Sequence, residues 1–441
     1  MKGLRVYFTA QEPLILSDGT TEGMAHKTLD YVPGNMLLGA LAGRWKAWHR
    51  TEDPDASPEF NAMFMDGAVS FGHAVPDCNG NPASPTPLCL EYAKNFGGLP
   101  AVGHPVKGEP RVYNCLCRDE EQEQKDGSDT EKRKHLSSPF MDFSTNHVPI
   151  LHRIQTMHVA IAAEERKAEE HKLFGYEALA GGSRFCSTIF CEDACFDTLR
   201  ALLPCGTTFQ FGHSRSAGYG TVEVTRFEEC AAPEDFRVSG GQEHTLYLES
   251  AFFPEKSWQS PWKGILEILR RHLGTVRFCE KKVYCRTIRL EGFNSLWHLP
   301  RSTRMGFTQG SVLTFISEKD GTLPGIIGNW QAEGYGRIRV DLEILQNYRI
   351  IPTDVKSAGV QEEQTSPAFS GSALTVWRRR VATRLAGEQA VDCVWASSVF
   401  TKFIDGLTRG AQPSQSQRGN IRRLLLGSSQ HEWISAFTEM L

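Results

Sequence analysis

Apolar and polar residues alternate from the first positions of the chain. Leu4, Val6 and Phe8 fall on one side of a run that places Arg5 and Tyr7 on the other, the period of a strand. This predicts a strand over 5–9, broken at Glu12-Pro13. After Pro33-Gly34 the period changes: Leu37, Leu41, Trp45 and Trp48 recur at helical spacing. They predict a helix over 36–48 with those four residues on its core face and Asn35 as N-cap. Further on, 185–190 reads as a strand and 193–203 as a helix with Phe196, Leu199 and Leu203 on one face. Strands over 207–211 and 221–225 then flank a loop, Gly212 to Gly220. The theme returns with strands over 245–250, 282–290, 310–317 and 338–342 and a helix over 262–273. The last strand follows Gly334-Tyr335-Gly336-Arg337, so each half closes on a glycine-rich, arginine-bearing loop feeding a strand.

Other stretches interrupt this pattern. Residues 100–150 are rich in Gly, Pro and charge and lack periodicity, which predicts a long, partly mobile insertion. The charged run 164–172 predicts a solvated turn or short helix. Beyond about residue 352 a Ser/Gly/Gln-rich linker leads to helices expected over 373–385, 397–408, 418–426 and 432–440. The expected class is α+β, organised as 1–230 with the insertion, 231–350, and a helical region over 351–441.

Composition changes this picture little. The chain has 441 residues, enough for two to three domains, with 40% hydrophobic and 23% charged residues, as in ordinary globular proteins. No apolar run reaches the roughly 20 residues of a membrane span, and the N-terminus lacks the apolar stretch of a signal peptide, so a cytoplasmic protein is expected. None of the 12 cysteines forms a Cys-x-x-Cys pair. Free thiols are therefore expected, with a metal left open at Cys115 and Cys117 or at Cys186, Cys191 and Cys195.

The net charge of −4 does not advertise nucleic-acid binding, but its distribution is uneven. An acidic run at 119–131 contrasts with basic groups at Lys281-Lys282 with Arg286 and Arg289, at Arg378 to Arg380, and at Arg418 with Arg422-Arg423. Glycine loops let backbone amides approach phosphates. In the first loop Gly212, Ser214, Arg215, Ser216, Gly218, Tyr219 and Gly220 add hydroxyl and guanidinium donors suited to a sugar–phosphate backbone. Gly334, Gly336 and Arg337 offer a shorter version. Arg301 and Arg304 flank a segment holding Trp297 and His298, the mixture of cations and rings that single-stranded RNA requires. His26, His49, His73 and His213 are candidate general bases for RNA cleavage, yet no partner motif accompanies them, and no active site is expected.

Several segments resemble RAMP-superfamily CRISPR proteins. Tyr31-Val32-Pro33-Gly34-Asn35-Met36-Leu37-Leu38-Gly39-Ala40-Leu41-Ala42 is similar to the family's "(I/V)PG-S-x-L-R-G-A-L-A" helix opening. Phe211 to Gly220 is close to "L-G-x-S-R-S-A-G-Y-G". Gly292 to Arg301 resembles "G-W-N-x-x-W-x-L-P-R", and Glu333 to Arg337 resembles "E-G-F-G-R". The order of segments is similar to the tandem-domain subunit of subtype III-D that takes the handle-binding position. The resemblance implies tandem ferredoxin-like (RRM/RAMP) domains and no cofactor. It also implies a subunit without nuclease activity that holds the 5′ repeat-derived handle of the crRNA, with Gly34 among its contacts. The implied partners are the large polymerase-like subunit and backbone RAMP subunits, with target RNA met only indirectly. Leu38 stands where the family has Arg, and Thr303 and Met305 also depart from its pattern. The alternatives are a repeat-cleaving endoribonuclease of the same superfamily with a base such as His26, and a protein-interaction scaffold without RNA binding.

Overall fold

The first strand, β1 (Lys2–Ala10), is buried along most of its length because it has a neighbour on each side. The computed structural model describes residues 1–353 except 23–24, 52, 95–96, 103, 105–109, 119–131, 162–167, 257, 292, 295–298 and 301. The helices expected beyond 351, and the arginines at 378–380, 418 and 422–423, lie outside the described residues. Met1–Ala358 forms one compact unit.

After β1 come α1 (Gly34–His49), β2 (Val69–Cys78), β3 (Arg184–Cys191), α2 (Asp193–Leu202), β4 (Thr208–Gln210) and β5 (Thr221–Cys230). The sheet runs β4-β5-β1-β3-β2, ending on a short strand at Asn81–Pro82, with every neighbouring pair antiparallel. Its core joins Leu4, Val6 and Phe8 to Leu37 and Leu41 of α1 and Phe196 of α2. Trp45 packs on Phe60 and stacks on His49, closing the core at that end. Trp48 shares the helical spacing but lies outside this closure, 56% exposed, against the sequence expectation. The N-cap also differs. Pro33 takes that position without a side-chain cap, and Asn35 lies inside the helix. His73 Nδ1 supplies the acceptor instead, taking the Gly34 amide hydrogen at 2.9 Å.

The second half contains β6 (Glu243–Leu248), α3 (Pro261–Leu273), β7 (Val276–Tyr284), β8 (Val312–Ser317) and β9 (Ile338–Val340). The Ser260 hydroxyl accepts from the Lys263 amide and starts α3, and Pro261 fits its first turn. The sheet runs β7-β8-β6-β9, which repeats the β2-β3-β1-β5 order of the first half. Between β8 and β9, where the first half has α2, the described chain has a short strand, Gly321–Leu323, and a 3₁₀ turn. The single strand expected over 282–290 is two. β7 pairs with β8, while Thr287–Leu290 pairs with Arg304–Phe307.

The insertion is partly built into the fold. Val112–Asn114 and Arg133–His135 pair on either side of Leu90–Ala93, and Arg349–Ile350 closes the sheet from the far end of the second half. A shared core of Leu90, Val112, Met141, Tyr247, Val312 and Leu345 ties this layer to β6 and β8. Of the turn or helix expected at 164–172, residues 164–167 lie outside the described residues and 168–172 are corrected to a strand. Ala168–Leu179 pairs antiparallel with Arg153–Ile161 and parallel with Ala25–Thr28. Charge alone argued for a solvated turn, whereas the ladder with Arg153–Ile161, joined by Ala25–Thr28 at Gly175 and Tyr176, carries this segment into a strand.

Candidate nucleic-acid interface

The first glycine loop spans the gap between β4 and β5. Ser214 takes a left-handed conformation at φ 57°, Arg215–Ala217 forms one 3₁₀ turn, and Gly218 returns left-handed at φ 83°. The neck is tied by Phe211 N–H to Gly220 O at 2.8 Å and by Gly220 N–H to Pro13 O at 2.9 Å. Gly220 has φ 99°, and a Cβ there would stand 2.4 Å from the Phe211 carbonyl oxygen, so no side chain fits.

The second loop is built the same way, and it begins earlier than its sequence suggests. Gly328 matches Gly212, Trp330 takes the left-handed place of Ser214 at φ 63°, Gln331–Glu333 is the 3₁₀ turn, and Gly334 matches Gly218 at φ 90°. The neck bonds recur as Ile327 N–H to Gly336 O at 2.8 Å and Gly336 N–H to Ala251 O at 3.0 Å. The sequence signal for Gly328-Asn329-Trp330 was missed because its residue types differ from Gly212-His213-Ser214 while the backbone is the same.

The two loops face different surroundings. Arg215, Ala217 and Gly218 of the first are exposed, Ser214 is half-buried, and Arg215 Nε donates to the Gly212 carbonyl at 3.2 Å. Ser216 lies in the same 3₁₀ turn. Tyr219 is buried, its hydroxyl 3.0 Å from Thr156 Oγ1, so it anchors the loop. The second loop is spent on joining the halves. Ser70 Oγ donates to the Gln331 carbonyl at 2.7 Å, and a Cβ on Gly34 would stand 2.4 Å from the Glu333 oxygen and 1.9 Å from that of Phe71. The Tyr335 ring meets His73 edge-on at 4.8 Å.

The arginines divide accordingly. Arg304 is buried, pairs with Glu333 at 3.2 Å and lies 3.3 Å over the Trp330 ring, so it braces the second loop from inside. Arg337 crosses to the first half. A bulge in the β2–β3 pairing leaves the Thr188 carbonyl outside the ladder, and Arg337 Nη2 donates to it at 2.7 Å, over the Phe190 ring. Desolvation lowers the Arg337 pKa to about 10. Arg301, Trp297 and His298 lie outside the described residues. Lys281 and Arg286 are exposed on β7 and just after it, while Lys282 pairs with Glu243 at 2.6 Å and the exposed Arg289 with Glu291 at 2.5 Å.

The four histidines are spread apart in role. His73 is buried, and burial, then the Arg337 charge, lowers its pKa to about 3. His49 lies on the last turn of α1 against the Trp45 carbonyl, His213 is exposed in the first loop, and His26 belongs to the strand Ala25–Thr28. Burial pushes the Cys115 and Cys186 thiols up to about 12 and that of Cys191 to about 11. Among the described residues no group of three or more His, Cys, Asp or Glu is placed to hold a metal, and no helix is long and apolar enough to cross a membrane.

No protein-family model matches the chain, and no curated protein matches it. Among solved structures it is similar to a chain of the Type III-B Cmr-beta bound to cognate target RNA and AMPPnP, at 13% identity over 70% of this chain and 86% of that one, TM-score 0.41. A second is Cmr-beta bound to cognate target RNA, at 14% identity with the same coverages and TM-score 0.39. A third is oligomeric Cmr4 from Pyrococcus furiosus, at 14% identity over 52% of this chain and 99% of that one, TM-score 0.25. At these identities and scores the likeness establishes neither fold nor function for this chain.

Proposed function

We propose that this chain is a non-catalytic RNA-binding subunit of a type III CRISPR ribonucleoprotein, of the III-D pattern, that grips the 5′ repeat-derived handle of the crRNA. The carrying observation is the exposed loop Gly212–Gly220, which presents the Arg215 guanidinium on a rigid, side-chain-poor turn anchored by Tyr219. The matching strand orders β2-β3-β1-β5 and β7-β8-β6-β9 support tandem ferredoxin-like domains, the second lacking one helix among the described residues. Lys281 and Arg286 extend the cationic surface on the second half. Gly34, Gly334 and Arg337 act in this reading by fixing the two halves together, and Arg304 and Gly336 by bracing the second loop, so the RNA grip is one-sided. The partners would be the large polymerase-like subunit and backbone RAMP subunits, with target RNA reached through the assembled complex.

The test is co-purification of the tagged chain with and without its operon partners, followed by sequencing of bound RNA. Guide RNAs sharing one 5′ handle, recovered with partner subunits, are expected. Cleavage of repeat RNA by the isolated chain would overturn the non-catalytic reading, and an assembled complex in which the chain crosslinks to no RNA would favour a protein scaffold.

A further inference from the structure

A cavity of about 310 Å³ lies between the two halves, walled by β2 and β3 on one side and by the second loop and β9 on the other. Arg5, His73, Cys230, Arg337 and Arg339 all contribute to its lining. Two of these arginines are neutralised, Arg5 by Glu228 at 3.1 Å and Arg339 by Glu249 at 3.5 Å. Arg337 forms no ion pair among the described residues, although the Glu249 carboxylate, which lines the same cavity, acts on it through space. Its Nη2 reaches the Thr188 carbonyl and its Nε is buried without a partner.

His73 adds a second donor in the same state. Because its Nδ1 accepts the Gly34 amide hydrogen, the neutral ring carries its own hydrogen on Nε2, and that atom is buried without a partner in a side chain only 8% exposed. A cation and a ring N–H left unsatisfied in one place are costly for a folded protein, and an anion with several acceptor oxygens would satisfy both. Arg337 is held in place by Gly72, where a Cβ would stand 2.7 Å from Nη2, so the guanidinium lies directly on the β2 backbone.

We propose that this cavity binds a phosphate-bearing ligand no larger than a mononucleotide, with its phosphate against Arg337 and within reach of His73. The ligand is either a free nucleotide or the terminal nucleotide of an RNA. The site is separate from the Arg215 loop and does not rest on the function proposed for that loop.

The full chain is titrated calorimetrically with inorganic phosphate, AMP and adenosine. AMP is expected to bind at least tenfold more tightly than adenosine, with inorganic phosphate competing. Arg337→Gln is expected to weaken AMP at least tenfold. Should that variant fail to fold, Ala232→Trp, at a half-buried lining position on the connector after β5, plugs the cavity without replacing a residue of either sheet and is expected to abolish binding. A short oligoribonucleotide with and without a 5′-phosphate identifies the source. Displacement of AMP by the phosphorylated form alone assigns an RNA end, and displacement by neither assigns a free nucleotide. Equal affinity for AMP and adenosine, no binding of AMP or phosphate at millimolar concentration, or unchanged AMP binding in Ala232→Trp would each overturn the proposal.

Discussion

The Gly34 amide and His73 Nδ1 share a hydrogen bond of 2.9 Å that ties the start of α1 to the middle of β2. It works only while the imidazole is neutral, because protonated Nδ1 cannot accept. Burial first, and the Arg337 charge second, hold the His73 pKa at about 3. An unfolded histidine titrates near about 6.5.

That difference sets a pH window. Between about 6.5 and about 3 the unfolded chain binds a proton that the folded chain does not, so stability falls as pH drops through this range and is fully present above it. His73→Gln keeps an acceptor for Gly34 but does not titrate. Its melting temperature should fall less than that of wild type between about pH 7 and about pH 4. Parallel pH profiles for the two proteins would show that His73 is protonated freely in the fold.

Arg304 and Glu333 form a buried pair at 3.2 Å beneath Trp330. Arg304→Ala leaves the Glu333 carboxylate buried without its cation and should cost about 3–5 kcal/mol of unfolding free energy. Replacing both partners, as Arg304→Met with Glu333→Gln, should cost clearly less than the single change. Denaturant midpoints measure this, and equal losses for single and double variants would show that the pair is not coupled.

The glycines of the two loops should respond in graded fashion to alanine. Gly218 has open space at its Cβ position, so Gly218→Ala carries only the left-handed backbone cost of about 1–2 kcal/mol. At Gly336 the new Cβ would stand 1.9 Å from the Ile327 carbonyl oxygen, so Gly336→Ala must also move the loop neck. The second variant should melt well below the first, and similar melting temperatures would mean the neck can open without loss.

Arg215 is the exposed guanidinium of the first loop. Arg215→Ala should weaken handle RNA binding similarly across sequences and reduce the slope of affinity against salt by about one. Unchanged affinity at several salt concentrations would remove this residue from the interface.

Many strands and helices of both halves were legible in the sequence because their apolar periods are set by burial on one face, as in Leu37, Leu41 and Trp45 or Phe196 and Leu199, whereas β2 was not. The insertion strands were not, since Val112–Asn114 and Arg133–His135 are too short to show a period and become strands only by pairing with Leu90–Ala93. Ala168–Leu179 was hidden for the reverse reason, a charged start overridden by its ladder with Arg153–Ile161. The glycine loops were visible as motifs whose glycines permit left-handed turns, whereas the left-handed Ser214 and Trp330 were not visible. What residue types did not carry is which way each loop faces. The same backbone turn leaves Arg215 exposed in one half and places Arg337 at the junction of the other, because β2 and α1 of the first half cover the second loop only after the chain has folded back on itself. Local sequence determined the shape of the two loops, and long-range packing decided which of them remained open to a partner.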